Sequence, residues 1–253
     1  MVFDSIMCGR FAQIRHSEKY AKRFGLKASD NLDLDVIPAN YNTDIGNPAL
    51  IAGQDQVLTK STFGFSPGWA EKQMYLFNAR SEGDFNPAND SQYAGPMGIF
   101  DKPSFRQAMK TQRAVVPVDY FLEGPEKEKL KKPFLIHRKD EEPFLIAGIW
   151  SLWEDKTNGE KKHTFSILTT AQNELLAKVG HHRSPLVLPD HLAKIWLDPN
   201  AGKEALSQLM IPFDDQDFEA YPIDPKAGKR NTTANPNNDP SLMIPVGPVF
   251  SVL

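Results

Sequence analysis

A single cysteine, Cys8, stands among 253 residues. Without a partner thiol an intrachain disulfide framework is excluded, and a structural zinc site is not expected. No run of about 18 apolar residues is present, so no membrane span is expected. The opening MVFDSIMCGRF carries Asp4 and lacks the long apolar region of a secretory signal. Excess positive charge is also missing. Lys+Arg number 29 against 32 Asp+Glu, for a net charge of −3 and a pI of about 6.1. That balance does not belong to a general nucleic-acid binder, so any nucleic-acid contact must come from a local basic cleft. A nucleotide-binding glycine fingerprint, a P-loop, an internal repeat and a heptad pattern are all absent. What remains is an ordinary globular composition, 40% hydrophobic and 24% charged, in a chain long enough to bury a sizeable core. A monomer in a reducing cytoplasm, nucleoid-associated when bound to DNA, fits these absences. No cofactor and no metal are expected.

The pattern of apolar residues then gives the elements. SEKYAKRF (17–24) reads as an amphipathic helix with Ser17 as N-cap and Gly25 as stop. Residues 31–47, rich in Asp, Asn and Pro, read as loop. Strands are expected at 49–51 and 56–65, with a turn exposing Trp69 after them. Residues 84–103 read as an irregular surface excursion, and 105–110 as a short helix. RAVVPVDYFL (113–122) reads as one buried strand running into Glu123-Gly124. The charge run 126–132 reads as a solvated tip. Strands at 133–138 and 143–152 follow, with a turn between them, then a strand at 163–170. Helices are expected at 173–179, ending at Gly180, at 189–197 and at 203–210. The segment 224–240 is loop-like, and 243–252 could close a sheet edge. Strands dominate the middle without βαβ alternation, so the expected fold is α+β: one domain, with short helices around a curved, mostly antiparallel, barrel-like sheet.

Cys8 sits in Met7-Cys8-Gly9-Arg10-Phe11. Lone cysteines near a chain start are commonly small buried hydrophobes. If translation starts at Met7, however, removing that Met leaves Cys8 as the first residue, a 1,2-aminothiol. Its amine titrates near ~7.7–8.0 and its thiol near ~8.5, so both nucleophilic forms are reachable at neutral pH. Such a pair condenses with an aldehyde to a Schiff base and closes to a thiazolidine. Residues 1–7 are therefore expected to be a leader or a mis-assigned start, preceding one domain over 8–253.

Four short clusters lie near expected strand ends or turns: Cys8-Gly9-Arg10, Asn78-Ala79-Arg80, Glu123-Gly124 and His181-His182-Arg183. Singly each has a plain explanation: Asn78 as a turn cap, Arg80 paired with Glu82, Glu123 at a strand exit, His181 on the surface after a helix. Together they supply a nucleophile, an amide, a carboxylate and an imidazole, the groups that move protons on a carbonyl adduct. Arg10, Arg80 and Arg183 could add bidentate phosphate contacts.

The block Met7-Cys8-Gly9-Arg10-Phe11-Ala12-Gln13 resembles the opening of the SOS response-associated peptidase (SRAP) family. The resemblance continues in order through Tyr41-Asn42, Gly64-Phe65-Ser66-Pro67-Gly68-Trp69, Asn78-Ala79-Arg80, Asp119-Tyr120-Phe121-Leu122-Glu123, Thr170-Ala171 and His181-His182-Arg183-Ser184-Pro185-Leu186. It implies a protein that binds single-stranded DNA and captures the aldehyde of an abasic site as a thiazolidine cross-link. On that resemblance Cys8 would be the covalent residue, Asn78 would hold the adduct, Glu123 would be the acid/base and His181 a proton carrier. Arg10, Arg80 and Arg183 would grip phosphates, with Asn42 beside the DNA channel and Thr170 as a hydrogen-bond donor. Trp69 would stack on a base. Three positions depart from the family pattern. Asp44 brings a negative charge into the Tyr-Asn loop, Gly124 stands where an aromatic is usual, and Ala70 where a second Trp is frequent. The competing reading is a cysteine peptidase or amidohydrolase with Cys8 as thiolate and His181 as base. It needs only the thiol.

Overall fold

A computed structural model describes residues 8–28 and 38–252. Residues 1–7, expected to be a leader or a mis-assigned start, and residues 31–37 of the expected loop 31–47 lie outside the described residues. Strand Lys161–Ala171 organises the larger sheet. It pairs antiparallel with Phe144–Glu154, which continues through Arg113–Val118 and Pro48–Gly53 to Val57–Phe63. Val57–Phe63 pairs back, parallel, onto Lys161–Ala171 through Thr62 and Phe63. The ring closes into a five-stranded barrel, which removes the two long edges an open sheet would expose.

The barrel strands are apolar on both faces because both faces are covered. Ala114, Val116 and Val118 face inward with Ile146, Phe165 and Ile167. Val115 faces outward with Leu145, Ala147 and Ile149, against helix Asp190–Leu197 and its buried Trp196. This is the period of two expected of a pleated strand. Phe63 and Phe165 stack at 5.2 Å between ring centroids, and Phe11 meets Phe63 edge-on at 5.3 Å. Helices Ser17–Phe24, Arg106–Thr111 and Lys203–Gln208 complete the outer layer.

A second, antiparallel sheet lies alongside, in the order Phe250–Ser251, Phe218–Pro222, Phe134–Arg138, Tyr120–Glu123, Phe11–Gln13, Asn40–Thr43. Its presence corrects two expectations. The run 113–122 is not one strand: it breaks at Asp119, where the chain leaves the barrel for the second sheet. Asp119 holds that crossing, accepting from the Ile14 amide at 2.7 Å and from Arg15 and Tyr20. The strands on either side of the turn at 139–143 likewise join different sheets. Smaller differences are local. Asn40–Thr43 is strand rather than loop, and Phe218–Pro222 had not been anticipated. His16, not Ser17, occupies the N-cap position of the first helix. Leu130 is buried within the charged run 126–132, and Ile99 within the excursion 84–103, so neither segment is purely solvated.

Candidate active site

The register of the second sheet brings Cys8 to Glu123. Phe11 stands opposite Phe121, and the Leu122 amide donates to the Arg10 carbonyl at 3.0 Å. One step further back, the antiparallel register sets Gly9 opposite Glu123, with Cys8 next to it. His181 arrives from another direction. Helix Glu174–Val179 ends at Gly180, whose φ of 83° is readily adopted only by glycine. The His181 amide then donates to the Leu176 carbonyl at 2.9 Å, so the helix end itself aims the imidazole.

Sγ of Cys8, a carboxylate oxygen of Glu123 and a ring nitrogen of His181 all lie within 4.8 Å of one another, and all three residues are buried. His181 Nε2 stands 3.3 Å from Glu123 Oε2, while Nδ1 is 2.9 Å from the Gly124 carbonyl oxygen. A carbonyl only accepts, so Nδ1 carries a proton and Nε2 is the ring nitrogen that faces the Glu123 carboxyl. The Glu123 carboxyl faces both the thiol and the backbone nitrogen of Cys8. Burial raises the Glu123 pKa, opposed by the His181 charge and by hydrogen bonding from Cys8. Burial, and then the Glu123 charge, push the thiol of Cys8 well up, while the Arg183 charge pulls it down. Cys8 itself has φ of 24°, a value L-residues seldom adopt. A small recess whose lining includes Glu123, Gly124, Pro125, His181 and His182, but not Cys8, borders two of the three side chains.

A second group forms around Glu82. Strand Lys161–Ala171 carries Asn78–Arg80 on one side, with Arg80 opposite Thr169, and Arg183–Pro185 on the other, with Arg183 opposite Ala171. Three distant sequence motifs thus meet at one strand end. Glu82 accepts from Arg183 Nη1 at 3.1 Å and Nη2 at 2.9 Å, from the Ala171 amide at 3.0 Å and from Thr170 Oγ1 at 3.3 Å. Arg80 Nε lies 3.8 Å from the same carboxylate, and Arg80 also donates to the Asn86 carbonyl. Arg183 has 0% side-chain exposure and Arg80 26%, so of this pair Arg80 alone reaches solvent. Asn78, half-buried, heads the strand that carries Arg80.

Arg10 and Asn42 belong to neither group. Arg10 pairs with Asp44, which also takes Arg230 and the amides of Ile45 and Asn231. Burial lowers the Arg10 pKa to about 10, against the opposing pull of Asp44. The extra negative charge at Asp44 is thereby matched by two guanidinium groups, the buried Arg10 and the mostly exposed Arg230. Asn42 is buried and donates to the carbonyls of Lys229 and Asn237 at 3.3 and 3.2 Å. Trp69 is 60% exposed on its turn. At Gly124 a Cβ would run into the Lys129 carbonyl, so the path of the 125–132 segment accounts for glycine where the family usually has an aromatic. Glu82 and Asp44 are the residues that sequence reasoning undervalued. For Glu82 the available signal was its spacing two residues after Arg80.

Three comparisons bear on this geometry. The family described as SOS response associated peptidase (SRAP) matches residues 7–230. The abasic site processing protein YoqW of Bacillus subtilis is 30% identical over 247 residues, which is 94% of this chain and 99% of that protein. The abasic site processing protein YedK of Escherichia coli is 30% identical over 204 residues, 79% of this chain and 83% of its own. Among solved structures, a protein from Bacteroides thetaiotaomicron is similar with a TM-score of 0.76 at 26% identity, covering 93% of this chain and 98% of its own.

Proposed function

The chain belongs to the SOS response associated peptidase (SRAP) family, and from that premise we propose that it processes abasic sites in DNA, capturing the ring-opened aldehyde once Cys8 is the first residue. The amine adds to the aldehyde carbon, and the carbinolamine loses water to give the Schiff base. The thiol then adds across the C=N bond, sulfur to carbon and proton to nitrogen, closing the thiazolidine. The observation that carries this reading is the position of Glu123, whose carboxyl faces both nucleophilic atoms of Cys8, the sulfur and the backbone nitrogen. A buried carboxyl with a raised pKa can hand a proton to the departing hydroxyl and take one from the amine. His181 Nε2, fixed by the bond from Nδ1 to Gly124, exchanges protons with Glu123. Residue 7 defines the φ of Cys8, so removing the leader also removes the unfavourable 24° torsion at the nucleophile.

The thiolate peptidase reading is less well supported. Activated cysteines have depressed pKa values, whereas burial and Glu123 raise that of Cys8. For the DNA strand, Arg80 is the proposed phosphate contact, because it is the partly exposed arginine of the Glu82 group. Arg10, Asn42, Thr170 and Arg183 are buried and bonded to partners within the fold, so none of them is proposed as a strand contact. Trp69 is the proposed stacking platform, an interaction worth roughly 1–3 kcal/mol per base.

Two forms of the protein separate these readings, one beginning at Met1 and one produced from Met7 with its initiator removed. Incubated with abasic single-stranded DNA, only the Cys8-start form is expected to give a band that survives denaturation. Peptide hydrolysis by both forms, with no such band from either, would place the protein with the cysteine peptidases instead. Arg80→Ala is expected to weaken DNA binding across all sequences and to reduce the log–log salt slope by about 1. An unaltered slope, measured by titration at several salt concentrations, would remove Arg80 from the strand contact.

A further inference from the structure

The three central side chains offer one sulfur, one oxygen and one nitrogen donor, all within 4.8 Å of one another. Glu123 and His181 are 2% and 4% exposed, yet among the described residues neither Glu123 Oε1 nor His181 Nε2 makes a hydrogen bond. Nε2 faces Glu123 Oε2 at 3.3 Å without hydrogen-bond geometry and Oε1 has no partner, so both buried atoms keep bonding capacity that a further group could complete. The opposite ring nitrogen, Nδ1, is fixed on the Gly124 carbonyl at 2.9 Å. A ring N–H held by a backbone carbonyl, with the other nitrogen free, is how proteins commonly orient a histidine ligand.

The distances agree with this arrangement. A tetrahedral cation with bonds of about 2.0–2.1 Å to nitrogen and oxygen holds those atoms about 3.4 Å apart. The observed Nε2–Oε2 separation is 3.3 Å. Sulfur, with a bond of about 2.3 Å, would stand about 3.5 Å from those two atoms, and it lies within 4.8 Å of both. A thiolate and an imidazole beside one carboxylate suit zinc-class ions, whereas magnesium and calcium prefer all-oxygen sites.

We propose that Cys8, Glu123 and His181 bind one zinc-class divalent cation with a fourth position open, and that the bound cation and covalent capture by Cys8 exclude each other. The lack of a second thiol argues against a closed structural zinc site and does not bear on a three-ligand open one. Binding replaces the thiol proton, which leaves to solvent, and changes no oxidation state. The cation–sulfur bond then occupies the electron pair that closes the thiazolidine. The cation site rests on geometry alone, and the exclusion rests on the proposed function.

Cobalt(II) reports on the site directly. The full chain, stripped with chelator and titrated anaerobically without DNA, is expected to take up one equivalent with a thiolate-to-cobalt charge-transfer band. Zinc should displace it, and magnesium should not. Cys8→Ser should abolish the band, and Glu123→Gln and His181→Gln should each weaken binding at least tenfold. A chain with no band, or variants that bind as tightly as the wild type, overturns the site. Should a variant fail to fold, the wild-type melting temperature decides: it should rise with zinc and saturate at one equivalent, and a flat response counts against the site. In the cross-linking assay of the Cys8-start form, saturating zinc should cut the yield at least tenfold and chelator should restore it. Cobalt binding with undiminished capture overturns the exclusion. A metal-free protein that binds cobalt on titration and captures nothing overturns the functional reading instead.

Discussion

Cys8→Ala, in the form that begins at residue 8, is expected to lose denaturation-resistant capture of abasic DNA by at least about a hundredfold, while non-covalent binding stays within a few-fold of wild type. The alanine form keeps its α-amine, so it can still make a Schiff base with the aldehyde. A Schiff base hydrolyses, and without sulfur no ring closes to hold it. The variant thus separates the two halves of the nucleophile, which a start-site comparison cannot do. Cys8 is a small side chain, 2% exposed at the margin of a core that includes Phe11, Ile146 and Val179. Removing its sulfur leaves a small cavity, and the cost should be on the order of 1 kcal/mol. Loss of capture through unfolding would appear as a lowered melting temperature, and none of consequence is expected. The yield is read by denaturing electrophoresis of heated samples. Wild-type yield from the alanine form would falsify the thiazolidine scheme.

How far the sequence reached depends on which residues carried the signal. The barrel strands were legible because unbroken runs such as FLIAGIW (144–150) bury both faces. The switch between sheets at Asp119 was not, for the same reason: AVVPV and YFL are apolar on both faces, so no change of period marks the crossing. Phe218–Pro222 was missed because Glu219 and Pro222 interrupt a short edge-side run. The members of the site were found as short blocks at strand ends. What joins them is register and one helix terminus, and both are tertiary facts. Nothing local sets Gly9 opposite Glu123 or turns His181 Nε2 toward it. Arginine burial was also invisible, because a guanidinium at a strand end reads alike whether it faces solvent or a buried carboxylate. That difference now separates Arg80 from Arg183.

The same difference makes Glu82 the residue whose loss should most damage the fold around the site. Arg183 has no exposed side chain, and its two terminal nitrogens divide their bonds among Glu82, Asn89 and Thr169. Glu82→Ala takes away the only carboxylate paired with that guanidinium among the described residues and strands a buried charge. Breaking a buried pair from one side costs about 3–5 kcal/mol, a large share of the 5–15 kcal/mol by which domains are typically stable. The Ala171 amide and the Thr170 hydroxyl lose their acceptor in the same step. Glu82→Gln keeps an acceptor for them and should cost less, about 1–3 kcal/mol. Burial alone would raise the Glu82 pKa, but the hydrogen bonds and charge of Arg183, helped by Arg80, outweigh it and hold the carboxyl below its ordinary value. The unfolded chain therefore binds more protons than the folded one between that depressed value and the usual glutamate pKa of about 4.3. This contribution is present above that window and is lost as pH falls through the folded value. Denaturant unfolding at neutral and at acid pH should thus show the gap between wild type and Glu82→Ala narrowing in acid. A gap below about 1 kcal/mol at neutral pH, or one that does not narrow in acid, would mean that Arg183 is held by its neutral partners and that Glu82 does not anchor this end of the strand.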